Sequence, residues 1–103
     1  MTPIEVSIEA DRDIDDITEH YETVAGVQLA DRFLAAIGAG LTHLSEYPKS
    51  GAIRFESLAD LSELRVWPVR SFPYWMIYRE SPDLVLVVRV LHTQRDIPGI
   101  LGE

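Results

Sequence analysis

Apolar and polar positions alternate at the start of the chain. Ile4, Val6 and Ile8 fall on one face of an extended segment from Pro3 to Ile8, and Glu5 and Ser7 fall on the other. That period of two predicts a short strand. The period then lengthens: Ile14, Ile17, Tyr21 and Val24 recur at helical spacing and predict an amphipathic helix that Gly26 is placed to end. Asp11 or Asp13 is expected to cap it by accepting from free backbone N–H groups. The carboxylates at 11, 13, 15 and 16 also suit the positive end of the helix dipole.

Ala30, Phe33, Leu34, Ile37, Leu41 and Leu44 keep the same period and predict a second helix from Val27 to Tyr47, with Phe33 and Ile37 in the core. Gly38 and Gly40 interrupt it, each costing about 1 kcal/mol relative to alanine. They read either as tolerated weak points or as places where a neighbouring backbone comes close. Pro48 stops the helix in the turn Pro48-Lys49-Ser50-Gly51.

Beyond Gly51 the helical period disappears. Ala52 to Ser62 has no clear period and reads as a loop or short extended piece. Leu64 to Val69 predicts a strand in which Pro68, lacking an N–H, requires a bulge or an outer position. Ser71-Phe72-Pro73 connects it to an aromatic strand from Tyr74 to Arg79, and Ser81-Pro82-Asp83 forms the next turn. Leu84 to Leu91 is apolar on both faces except at Arg89, as expected of a central strand. Short turns between these strands predict an antiparallel meander, and Pro98 and Gly99 leave a short tail. The expected architecture is α+β, in the order β-α-α-β-β-β: an antiparallel sheet with a helical hairpin packed on one face.

Composition narrows the class. A chain of 103 residues, 47% hydrophobic and 25% charged, suits one folded domain over residues 1–103. The absence of cysteine excludes disulfides and Cys-based zinc sites. MTPIEVSIEAD carries neither the basic region nor the apolar run of a signal peptide. LVLVVRVL is too short to span a membrane. The expected location is therefore the cytoplasm, without membrane contact.

The net charge of −8 is unevenly placed. Residues 1–31 carry nine acids against Arg12 alone, and from Leu64 onward five arginines face four acids. Lys49 is the only lysine. So acidic a chain is a poor generic binder of nucleic acid, and no direct sequence-specific binding of it is expected.

Motifs for metal, phosphate-loop and serine-nucleophile chemistry are missing. His20, His43 and His92 are scattered, no HExxH or Gly-rich phosphate loop occurs, and no GxSxG is present. The acids at 11–16 lack the central glycine and distal glutamate of a calcium loop. Neither a metal nor another cofactor is expected. There remain Arg65, Arg79, Arg89 and Arg95 with His92, which a meander could gather on one face. Arginine neutralises anionic transition states and histidine moves protons near neutral pH. The alternative is structural: Arg89 paired with an acid such as Asp96, and His92 capping the strand end.

The motifs in order carry a resemblance. Ala10-Asp11-Arg12-Asp13-Ile14 precedes Ala30-Asp31-Arg32-Phe33, then Leu44-x-x-Tyr47-Pro48-x-x-Gly51, Leu64-Arg65 and Phe72-Pro73-Tyr74-x-x-x-Tyr78-Arg79. Arg89-Val90-Leu91-His92-x-x-Arg95-Asp96 closes the series. Over nearly its full length the chain resembles the RelE/ParE superfamily of bacterial toxins from type II toxin–antitoxin modules, and its last motif resembles the ParE-like branch.

That branch implies a protein that inhibits DNA gyrase by binding and is neutralised by a cognate antitoxin. Target binding would then fall near Arg89, His92, Arg95 and Asp96 and the tail Ile97–Glu103, with antitoxin covering a groove beside the helices and sheet. The RelE-like branch implies instead a ribosome-dependent ribonuclease. In it Arg65, Arg89 and Arg95 would neutralise phosphate and His92 would carry the proton. With no lysine beyond Lys49 and no tyrosine beyond Tyr78, the sequence favours the binding protein. A non-toxic interaction protein of the same fold is the third possibility.

Overall fold

In the computed structural model, residues 1–55 and 63–102 are described. The chain forms β1 (Ile4–Val6), α1 (Ile8–Ala25), α2 (Val27–Glu46), β2 (Ala52–Ile53), β3 (Leu64–Pro68), β4 (Tyr74–Ser81), β5 (Leu84–His92) and α3 (Ile97–Leu101). The later part of the segment expected to be a loop or extended piece, residues 56–62, lies outside the described residues. The α+β class and the hairpin on one sheet face are as expected.

The sheet is mixed, not wholly antiparallel. Its strand order is β1-β5-β4-β3-β2, and β1 runs parallel to β5, with Ile4 opposite Val85 and Val6 opposite Val87. The expected meander holds for β3, β4 and β5. The long connection between β1 and β5 permits that parallel pairing, which a short hairpin turn would forbid.

Helix α1 starts earlier than its acidic run suggests. Ser7 is the N-cap, its Oγ accepting from Ala10 N–H at 3.0 Å, so Asp11 and Asp13 sit inside the helix instead of capping it. Ile14 and Ile17 are buried, whereas Val24, the last position of the predicted stripe, is exposed near the hairpin tip. Gly26 makes that tip alone. Its φ of 93° is the left-handed region that disfavours a side chain, and its N–H donates to Glu22 O at 3.2 Å.

On α2, Phe33, Ile37 and Leu44 are buried against Met76, Tyr78, Val85, Val87 and Val90 of the sheet, but Leu34 is exposed. The two helix glycines differ. A Cβ on Gly38 would meet nothing, while one on Gly40 would lie 2.8 Å from Met76 Sδ. Gly38 is tolerated, and Gly40 admits a side chain of the sheet, not a backbone.

Pro68 sits where its missing donor does no harm. Val69 N–H donates to Tyr74 O on β4 at 2.9 Å, so the nitrogen of the preceding residue faces the other way. On that side β2 has already ended, since Ala52 reaches only as far as Val66. In β5 a register shift between Ile77 and Tyr78 inserts one residue: Ile77 faces Arg89, but Tyr78 faces Val87. Val87 and Val90, three positions apart, therefore both join the core beneath the helices.

The opposite face of the sheet carries a second apolar cluster of Phe55, Leu64, Val66, Ile77, Leu91 and Ile97. The expected short tail is the cover of that cluster. Asp96 caps α3, its Oδ1 accepting from Gly99 N–H at 3.3 Å, and Ile97 is buried. Pro98 fits because the first helical turn requires no N–H there.

Candidate functional site

The last residues of β5 and the middle of α1 face each other across a concavity of about 220 Å³. Arg89, Leu91, His92 and Arg95 line it from the strand and its exit. Asp13, Asp16 and His20 line it from the helix, with Tyr74 from β4. The helical period that buries Ile14 and Ile17 also turns Asp13, Asp16 and His20 toward this end of the sheet, at spacings of three and four residues.

Arg89 does not pair with Asp96. Its Nε donates to Asp13 Oδ2 at 2.7 Å, and a second guanidinium nitrogen donates to Asp13 Oδ1 at 3.0 Å. The reason is spatial, because Asp96 is already engaged as the cap of α3 while Asp13 of α1 lies within bonding distance of Arg89. Val90 N–H adds a third bond to Asp13 Oδ2 at 2.9 Å.

His92 stands opposite Tyr74 in the ladder, and their rings meet edge to face at 5.2 Å. Its Nδ1 accepts from Gln94 N–H at 3.1 Å, so the expectation that it caps the strand end is met. An accepting Nδ1 leaves the ring proton on Nε2 in the neutral form. Arg95 N–H donates to His92 O at 3.0 Å, closing the turn that brings the Arg95 side chain to the concavity.

Arg65 is elsewhere. Two strands away on β3, its guanidinium donates to Gly51 O at 2.8 Å and Lys49 O at 3.1 Å, tying the turn after α2 to the sheet. It lines a separate concavity of about 560 Å³ together with Lys49, Glu63 and Glu80. The structure thus gathers Arg89, His92 and Arg95, leaves out Arg65, and turns the Asp96 carboxylate to α3. It adds Asp13 and Tyr74, which the quoted motifs contain without marking them as site residues, and Asp16 and His20, which no motif contains. The one available signal was the helical spacing of 13, 16 and 20.

Among the described residues, no three His, Cys, Asp or Glu side chains are grouped to hold a metal ion. No described helix is long and apolar enough to cross a membrane. The helical hairpin leaves Val24, Val27 and Leu34 exposed beside the acidic outer face of α1.

The α+β fold, with its hairpin over a five-stranded mixed sheet and a polar concavity at the exit of β5, agrees with comparison to known proteins. Residues 4–97 match the family described as the ParE toxin of the type II toxin–antitoxin system parDE. The chain belongs to that family. Its fold is similar to a solved structure described as the chromosomal ParDE toxin–antitoxin system from P. aeruginosa, with a TM-score of 0.74 and 20% identity over 89% of this chain and 96% of that one. Compared directly with curated proteins, the chain matches none.

Proposed function

We propose that the chain is the gyrase-directed toxin of its module, working in the cytoplasm by binding rather than by catalysis. Family membership supports the toxin role. The observation that carries the binding mode is the Arg89–Asp13 ion pair. A ribonuclease of this fold would need cations gathered around a scissile phosphate. Here one of the four candidates is held by a carboxylate, and Arg65 is held by backbone carbonyls on another part of the sheet. His92 and Arg95 remain beside Asp16 and the Asp13–Arg89 pair, a mixed set of charges that suits a protein surface.

A cognate antitoxin would neutralise the toxin by covering the hairpin, where Val24, Val27 and Leu34 offer apolar area. The acids on the outer face of α1 call for Lys or Arg on that partner. Expression without antitoxin tests the reading. The expected result is gyrase-linked DNA breaks with DNA-damage signalling. Codon-linked cuts in translated messages would support a ribonuclease instead, and normal growth would support a protein without toxicity.

A further inference from the structure

Beyond Val6, β1 stops while β5 runs on, so the outer edge of β5 is left with open backbone groups. The first turns of α1 fill that edge. Ser7 Oγ donates to Val88 O at 2.9 Å, and Asp13 Oδ2 accepts from Val90 N–H at 2.9 Å. The same carboxylate holds Arg89 through both of its oxygens. One side chain therefore joins a helix, the inserted-residue region of β5, and the arginine that precedes the strand's exit.

The side chains of Asp13 and Arg89 are 14% and 27% exposed. That much shielding makes the bidentate geometry rigid and makes loss of either partner costly to the other. Two residues beyond Val90, the strand delivers His92 and then Arg95 to the concavity. Wherever Asp13 sets the backbone of Val90, it also sets the starting point for both.

We propose that Asp13 is the positioning residue of the recognition edge and that Arg89 is its clamp, not a charge that the target reads. The target contact is then made by His92 and Arg95. This rests on the reading of the concavity as the gyrase-binding site.

Purified DNA gyrase and the purified full chain test it by equilibrium binding. The variants are Asp13→Asn, Arg89→Gln, the two combined, His92→Ala and Arg95→Ala. The combined variant replaces a charged pair by two amides that can still bond to each other and to Val90 N–H. Each single change at 13 or 89 is expected to weaken binding about tenfold, by stranding its partner. The combined variant is expected to return to within about threefold of the unmodified chain. Its salt dependence should be unchanged, because no target-facing charge has been removed.

A combined variant as weak as Arg89→Gln, with a flatter salt dependence, would overturn the proposal and make Arg89 a direct contact. If a single variant is unfolded at the assay temperature, Arg89→Lys decides instead. Lysine keeps the charge but loses the fork, so the clamp role predicts weaker binding and direct charge reading predicts unchanged binding. Unchanged binding by both His92→Ala and Arg95→Ala would overturn the underlying site assignment, a pattern distinct from failure at Asp13.

Discussion

Gly51 N–H donates to the Tyr78 hydroxyl at 2.9 Å, and that hydroxyl donates to Pro48 O at 2.7 Å. A fully buried phenol of β4 thus holds the turn that returns the chain from α2 to the sheet. Tyr78→Phe keeps the ring but leaves Gly51 N–H and Pro48 O without their partner. It is expected to lower stability by about 1–3 kcal/mol in denaturant unfolding. Gly51→Ala should also destabilise, since a Cβ there would lie 2.5 Å from the Tyr78 oxygen and 2.8 Å from Val66 O.

The same phenol sets a limit at alkaline pH. Burial pushes the Tyr78 hydroxyl above its ordinary range, against smaller lowering effects from the Gly51 bond and Arg65. Burial raises Tyr21 as well, helped by its neighbour Tyr74. For such groups the unfolded chain ionises first. Their stabilising contribution is full below pH about 10 and is lost as pH rises through the folded values. Unfolding midpoints measured from pH 8 to 11 should fall at the top of that range, and Tyr78→Phe should lessen the fall.

Phe33 packs against the rings of Tyr21, Phe72 and Tyr74 at centroid distances of 5.3–5.7 Å. Phe33→Ala should cost about 3–5 kcal/mol, and Ile37→Ala about 2–5 kcal/mol. Val24→Ala, on the predicted stripe of α1 but exposed, should stay within about 0.5 kcal/mol. Equal losses at all three positions in urea unfolding would contradict the hairpin's orientation.

Ser7→Ala removes the cap of α1 and its bond to Val88 O. A loss of about 1–2 kcal/mol is expected, against a near-neutral Asp11→Ala. Thermal melts of the two variants side by side check this.

Arg65→Ala separates structure from function. It should lower stability through the turn at Lys49 and Gly51 while leaving the affinity for gyrase per folded molecule unchanged. Retained stability with lost toxicity would return Arg65 to the site.

The hairpin and its core were legible because Ile14, Ile17, Phe33, Ile37 and Leu44 repeat at 3.6 residues, and burial of one helical face imposes that period. The pairing of β1 with β5 was not legible, since three residues carry too little pattern to state a direction or a partner. The start of α1 was misplaced because four carboxylates beside one serine outweighed it by number, while the cap is set by geometry at Ser7. His92 and Arg95 could be read as neighbours from their spacing. Asp13 could not, being 76 residues from Arg89 and brought to it by the packing of α1 beside β5. Nor could the place of Arg65 be read, because its partners are backbone carbonyls that no side-chain pattern records.

Binding to gyrase, proposed above as the action of this ParE-family chain, has a direct assay. Supercoiling of relaxed circular DNA by purified gyrase, with the chain titrated in, tests it most directly. Supercoiling is expected to fall as the chain approaches equimolarity with gyrase, Arg95→Ala to weaken the effect, and message on translating ribosomes to stay intact. Undiminished supercoiling, together with message cleavage that His92→Ala abolishes, would contradict it.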